Sequence, residues 1–116
     1  MKASVSLLLA LASSAIAATY TITWSEKGKE DVTQSFQCED DDYLLDGAEF
    51  EGLDWPSASR SGTEAVSAAR LISGTVDQSD QSFLTEEQIA DGYILTDTAY
   101  PRSDCVVVIG VQEELY

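Results

Sequence analysis

The chain of 116 residues contains no histidine. It therefore lacks the usual general base near neutral pH and the commonest protein metal ligand. Basic residues are scarce: six Lys and Arg stand against 21 Asp and Glu, a formal charge of −15. Such a surface repels nucleic acid and anionic membrane and steers the protein towards basic partners or cations. No apolar run reaches the roughly 20 residues of a membrane span. Only two prolines and two cysteines occur, with 44% hydrophobic residues, a globular rather than a disordered composition. No nucleophile sits beside a base and no glycine loop fits phosphate, so nothing points to an enzyme.

The first 17 residues read as a secretory signal peptide. Lys2 supplies the positive end, Val5 to Leu11 the apolar stretch, and Ala15-Ile16-Ala17 the cleavage triplet. Residues 18–116 then form one small domain with 21 acids against five bases, a formal charge of −16. Nothing in it demands more than a monomer.

Tyr20 to Trp24 alternates apolar residues with Thr and predicts a strand. Val32 to Cys38 completes a hairpin across the turn at Gly28. Asp40-Asp-Asp42 supplies a capping residue and negative charge for a helix over 43–51, with Leu44, Leu45, Ala48 and Phe50 as its apolar side. Arg70 to Ser73 reads as a strand. Thr85-Glu-Glu-Gln88 is a capping box opening a short helix that Gly92 closes. Tyr93 to Leu95 and Cys105 to Ile109 are strand-like, the latter apolar enough for burial on both faces. The order predicts a small α+β domain. Between helix and strand lies Pro56-Ser-Ala-Ser-Arg-Ser-Gly-Thr-Glu-Ala-Val-Ser-Ala-Ala-Arg70, a long segment of small residues. A helical turn from Thr63 through 64–71 would place Ala65, Val66 or Ala69 inward.

Several blocks together resemble the plant-type 2Fe-2S ferredoxins of cyanobacteria and plastids. They are Ala18-Thr-Tyr20, Asp41 to Asp46, Gly74-Thr-Val-Asp-Gln-Ser-Asp-Gln-Ser-Phe-Leu84, Gly92-Tyr-Ile-Leu-Thr96, Ala99-Tyr-Pro101 and Glu113-Glu-Leu-Tyr116. The resemblance covers residues 18–116 and implies a β-grasp fold: a mixed sheet packed on one main helix, with a long loop that in the family cradles the cluster. It places the family's cluster cysteines, spaced C-x4-C-x2-C with a fourth further on, at Ser59, Glu64, Ser67 and Asp97. Thiolates are soft ligands, whereas hydroxyls and carboxylates are hard. The expectation is therefore no bound cofactor, no metal and no catalytic residue. An electron carrier with non-cysteine ligands, or an oxygen-ligand cation site, stands as the alternative.

The resemblance also implies an acidic docking face for a basic protein of ferredoxin-reductase type, carried by Phe83, Asp77, Asp80, Glu86, Glu87, Glu113 and Glu114. A family acid falls at Gln112. The expected sheet separates Cys38 and Cys105 by an intervening strand, beyond the roughly 7 Å Cα reach of a disulfide, so two buried free thiols are expected. No Arg- and Ser-rich transit segment precedes Ala18, which favours a secreted, non-redox binding module or decoy over plastid residence.

Overall fold

In the computed structural model of the chain, residues 18–116 are described. The expected signal peptide, residues 1–17, lies outside the described residues. Strands β1 (Thr19–Glu26) and β2 (Gln34–Glu39) form the antiparallel hairpin, with Thr19 opposite Glu39 and Trp24 opposite Gln34. Helix α1 (Leu44–Phe50), β3 (Ala68–Ser73), β4 (Val76–Asp77), α2 (Glu86–Ala90) and β5 (Tyr93–Leu95) follow. A 3-10 turn at Thr96–Thr98, β6 (Tyr100–Pro101), β7 (Cys105–Ile109) and a 3-10 turn at Gln112–Leu115 complete the order. The main sheet runs β2-β1-β7-β3-β5, and β4 pairs with β6 apart from it. β1 and β7 are parallel, and the other pairs are antiparallel. A mixed sheet on one main helix is the expected β-grasp architecture.

The apolar periodicity fixes which face is inside. Ile22, Phe36, Cys38, Ala69, Ile94, Cys105 and Val107 pack with Leu44, Leu45 and Ala48 of α1. Trp55, just after the helix, is 2% exposed and meets Trp24 and Phe36 edge-on at 5.5 and 5.4 Å. Such pairs add to the area term of burial. Neighbouring residues on β3 and β5 alternate to the opposite face, where Ala68 and Leu95 join Leu84, Tyr93 and Val111. The β5 edge is covered by Gln78, whose side-chain amide donates to the Tyr93 carbonyl at 3.1 Å and accepts from Leu95 N at 3.1 Å. That closes an edge open to further pairing.

Four expectations need correction. α1 spans Leu44–Phe50, and its N-cap is Tyr43 with no side-chain cap, so the Asp40–Asp42 run does not cap it. Phe50 is not on the apolar side but 80% exposed. The loop forms bends and a turn rather than a helix, because Ala68–Arg70 are drawn into pairing with β5. In β7, Cys105, Val107 and Ile109 are buried, while Val106 and Val108 are only half-buried. By contrast, the capping box is present. Gln88 N donates to Thr85 Oγ1 at 3.2 Å, and Thr85 N donates to Gln88 Oε1 at 2.9 Å.

Cys38 and Cys105 are free and buried, on strands flanking β1. Burial, with Asp42 nearby, pushes the Cys38 thiol up to about 12, and burial also raises Cys105. Because the thiolate is the reactive species, neither thiol should react with an aromatic disulfide reagent at pH near 8 while the protein is folded. Both should react after denaturation. Rapid labelling of the native protein would contradict this arrangement.

Candidate functional site

The loop of residues 51–67 leaves α1, passes Trp55 and folds back against the 3-10 turn at Thr96–Thr98. Its pivot is Gly62, buried with φ +71°. A Cβ there would stand 2.8 Å from Thr98 Oγ1 and 3.0 Å from Gln81 Cα, so the backbone approach requires glycine. Gly62 N donates to Asp97 Oδ2 at 3.3 Å, and Ser82 N donates to the Gly62 carbonyl at 2.8 Å. Thr98 Oγ1 donates to Asp97 Oδ1 at 3.1 Å. Asp97 is thus a buried carboxylate held by the loop and by its own turn.

The other three expected positions divide by burial. Ser59 and Glu64 are exposed and bound to each other, with Ser59 N donating to Glu64 Oε1 at 3.0 Å. Hydrogen bonds from the Ser59 side chain and backbone hold the Glu64 carboxyl below its usual range. Ser59, Ser61 and Thr63 form a chain of hydroxyl contacts at 2.7 and 2.6 Å. Ser67 is buried, and its Oγ has no hydrogen-bond partner, while its carbonyl accepts from Thr96 N and Oγ1. The loop carboxylates therefore turn to the loop's own donors. Among the described residues, the acidic triad with ligand atoms within 4.8 Å of one another is Glu39, Asp41 and Asp42, at the β2–α1 junction and outside the loop.

The expected docking residues are distributed unevenly. Phe83 is half-buried against the Leu84, Tyr93, Leu95 cluster. Glu86 and Glu87 are exposed in the first turn of α2, and Glu113 is exposed near the C-terminal end. Asp80 accepts from Tyr43 Oη at 2.7 Å. Asp77 accepts from Ser79 N and Oγ and faces Arg102 at 3.5 Å. Glu114 is the most engaged: Lys27 approaches at 2.9 Å, Arg70 at 3.4 Å, and Tyr93 Oη donates at 2.7 Å. Lys27 first, then Tyr93, holds its carboxyl below the ordinary range. Glu114 thus fastens the C-terminal turn to β3, to β5 and to the turn that follows β1. Phe50, with Asp42, Asp46 and Glu49 beside it, is a surface feature that the sequence reading assigned to the core.

Fold and loop together define a β-grasp protein of ferredoxin type. The profile described as "2Fe-2S iron-sulfur cluster binding domain" matches residues 27–102, and the chain belongs to that family. It is 40% identical over 89 residues to "Ferredoxin-6, chloroplastic" of Zea mays, covering 77% of this chain and 57% of that one. It is 37% identical to "Ferredoxin, heterocyst" of Microchaete diplosiphon, over 78% of this chain and 90% of that one. Among solved structures it resembles Pectocin M2, with a TM-score of 0.75 and 38% identity, over 84% of this chain and 35% of that one. The chain therefore spans 57% of the maize protein and about a third of Pectocin M2.

These findings correct the expectation of a chain with no cofactor: the family's group is a 2Fe-2S cluster. The residues present do not fit that group by donor chemistry. Such clusters are held by four thiolates or by a Cys/His mixture, and the chain has no His. Its two thiols are buried in β2 and β7. The loop offers hydroxyls and carboxylates, which suit harder cations.

Proposed function

We propose that the chain acts as a secreted, acidic docking module of the ferredoxin family, working by surface contact with a basic protein of reductase type. Phe83 provides the apolar contact. Asp77, Asp80, Glu86, Glu87, Glu113 and Glu114 provide the negative rim, of which Asp80, Glu86, Glu87 and Glu113 carry no internal ion pair among the described residues. Ser59, Glu64, Ser67 and Asp97 stand at the positions of the family's cluster cysteines, and the bonds of Ser59 with Glu64 and of Gly62 with Asp97 close the loop on itself. The observation that carries this reading is the internal bonding of the two carboxylates beside a strongly acidic surface: Glu64 is spent on Ser59 and Asp97 on Gly62. Secretion rests on residues 1–17. Plastid residence is the alternative, favoured by the chloroplastic designation of the maize relative.

A second reading keeps the electron-carrier role that the relatives' ferredoxin names denote. One experiment weighs both. The purified chain is treated with iron and sulfide, its visible spectrum and iron content are recorded, and its binding to a basic ferredoxin reductase is measured against salt. The docking reading expects binding that weakens as salt rises, because exposed charges are screened within about 10 Å at 0.1 M. Phe83→Ala should weaken it about tenfold. A brown, reducible protein with about two irons per chain favours the carrier. No binding at low salt overturns the docking module.

A further inference from the structure

Strand β5, Tyr93-Ile-Leu95, is an outer strand of the main sheet. Backbone groups alternate in direction along such a strand. Ile94 lies opposite Ala69 of β3, and the bonds on either side of it, Leu71 N to the Gly92 carbonyl and Thr96 N to the Ser67 carbonyl, also run to β3. The Tyr93 carbonyl and the Leu95 N–H therefore point away from the sheet. Gln78, just after β4, meets both with its side-chain amide, which donates to the first at 3.1 Å and accepts from the second at 3.1 Å. One amide that bridges the positions on either side of Ile94 does what a peptide group of a further strand does. A side chain stands where a main chain would fit.

Beside this contact lies a depression of about 230 Å³. Its lining includes Leu71, Val76, Gln78, Ile89, Tyr93 and Ile94, and no charged side chain. In a chain with 21 acids, that neutrality selects the occupant. A charged group entering the depression would lose its water and find no partner, whereas an apolar one gains by burial. Helix α2 supplies Ile89 to the wall but buries none of its own residues, and Ile89 is 41% exposed. Replacing the Gln78 amide by a main-chain peptide exchanges two hydrogen bonds for two, a nearly neutral step. Release also returns rotamer freedom to the glutamine. The balance then rests on the side chain that the added strand seats in the groove.

We infer that the β5 edge is a strand-addition site, at which an extended, uncharged segment of a partner protein displaces the Gln78 amide, bonds to Tyr93 and Leu95, and seats an apolar side chain against Ile89, Leu71 and Val76. Main-chain bonds give such pairing its affinity, and the groove gives it selectivity. Gln78 is an internal competitor that keeps the edge closed to unselective pairing. The groove lining contains neither Phe83 nor any of the acids assigned to the reductase face. The site therefore stands or falls independently of the function proposed above.

The test titrates a blocked, uncharged heptapeptide of alternating threonine and isoleucine into the isotopically labelled chain and follows amide shifts, the Gln78 side-chain amide included. The expected result is a set of shifts at Gln78, at residues 93–95 and at Ile89. Salt should leave the affinity unchanged, since neither peptide nor groove carries charge to be screened. The same peptide N-methylated throughout keeps its side chains but loses its donors, and should not bind. Gln78→Ala should tighten binding about fivefold by removing the competitor. Ile89→Ala should weaken it about fivefold by removing one wall of the groove. The inference is overturned if the N-methylated peptide binds equally well, if Ile89→Ala binds as wild type, or if a folded Gln78→Ala chain binds no tighter. Absence of shifts in the wild-type chain overturns it too, as does binding that weakens with salt. Should Gln78→Ala not fold, the N-methylated peptide and Ile89→Ala decide. A Gln78→Ala chain that dimerises through residues 93–95 without peptide assigns the edge to a second copy, and overturns the partner segment.

Discussion

Replacing Gly74 with alanine should cost more stability than any other single methyl group added to this chain. Gly74 joins β3 to β4 at φ +99°. A Cβ there would lie 2.3 Å from the Asp104 carbonyl oxygen, 2.9 Å from Cys105 Cα and 3.0 Å from Cys105 Sγ. The left-handed conformation alone costs an L-residue about 1–2 kcal/mol. The clash is with backbone, so it cannot be relieved by a rotamer change, and overpacking of this kind costs about 1–3 kcal/mol more. A combined loss of about 3–5 kcal/mol is a large share of the roughly 5–15 kcal/mol that holds a domain together. Thermal unfolding should fall by on the order of 15 °C or more. Gly92→Ala is the matched control. Its φ is +97°, yet the nearest atom is the Leu71 carbonyl oxygen at 3.4 Å. It should lose only the conformational part, about 1–2 kcal/mol. Equal melting temperatures for the two variants would refute the steric account.

Trp55→Ala should come close to that in magnitude, by a different route. The side chain is 2% exposed and packs edge-on against both Trp24 and Phe36. Truncating a buried Phe or Trp typically costs about 3–5 kcal/mol through lost transfer energy and a residual cavity. The indole also anchors the start of the loop, one residue before Pro56. The variant should therefore melt lower and be cut faster by trypsin after Arg60. Wild-type cleavage kinetics in a destabilised Trp55→Ala variant would show that the loop is held by its own contacts at Gly62 and Glu64 instead.

Most of the sheet was legible because period-two alternation survives in β1 and because apolar β5 and β7 are bounded by turn residues. The capping box at Thr85 was legible because both partners lie within four residues. What failed depended on long-range pairing. Ala68 to Arg70 look helical by composition, yet they become strand because β5 and β7 offer ladder partners that no local pattern reveals. Phe50 had a usable signal that the apolar reading passed over. Leu44, Leu45 and Ala48 define one stripe at i, i+1 and i+4, and position 50 lies six residues beyond Leu44, well away from that stripe at about 100° per residue. At the site, the sequence pointed to Ser59, Glu64, Ser67 and Asp97, but not to their internal bonding. Only the fold could bring Gly62 to Asp97, 35 positions away.

The position of β7 has a consequence for how the chain comes to be folded. It lies between β1 and β3, and its parallel register with β1 joins Ile22 to Cys105 and Glu26 to Ile109. Until β7 emerges from the ribosome, the sheet lacks its middle and the two edges have nothing to close upon. Folding should therefore be a late, all-at-once event rather than a stepwise one, and slowed by the entropy of joining such distant segments. A sheet whose centre arrives only with its seventh strand leaves the six before it without a finished scaffold until that strand is in place.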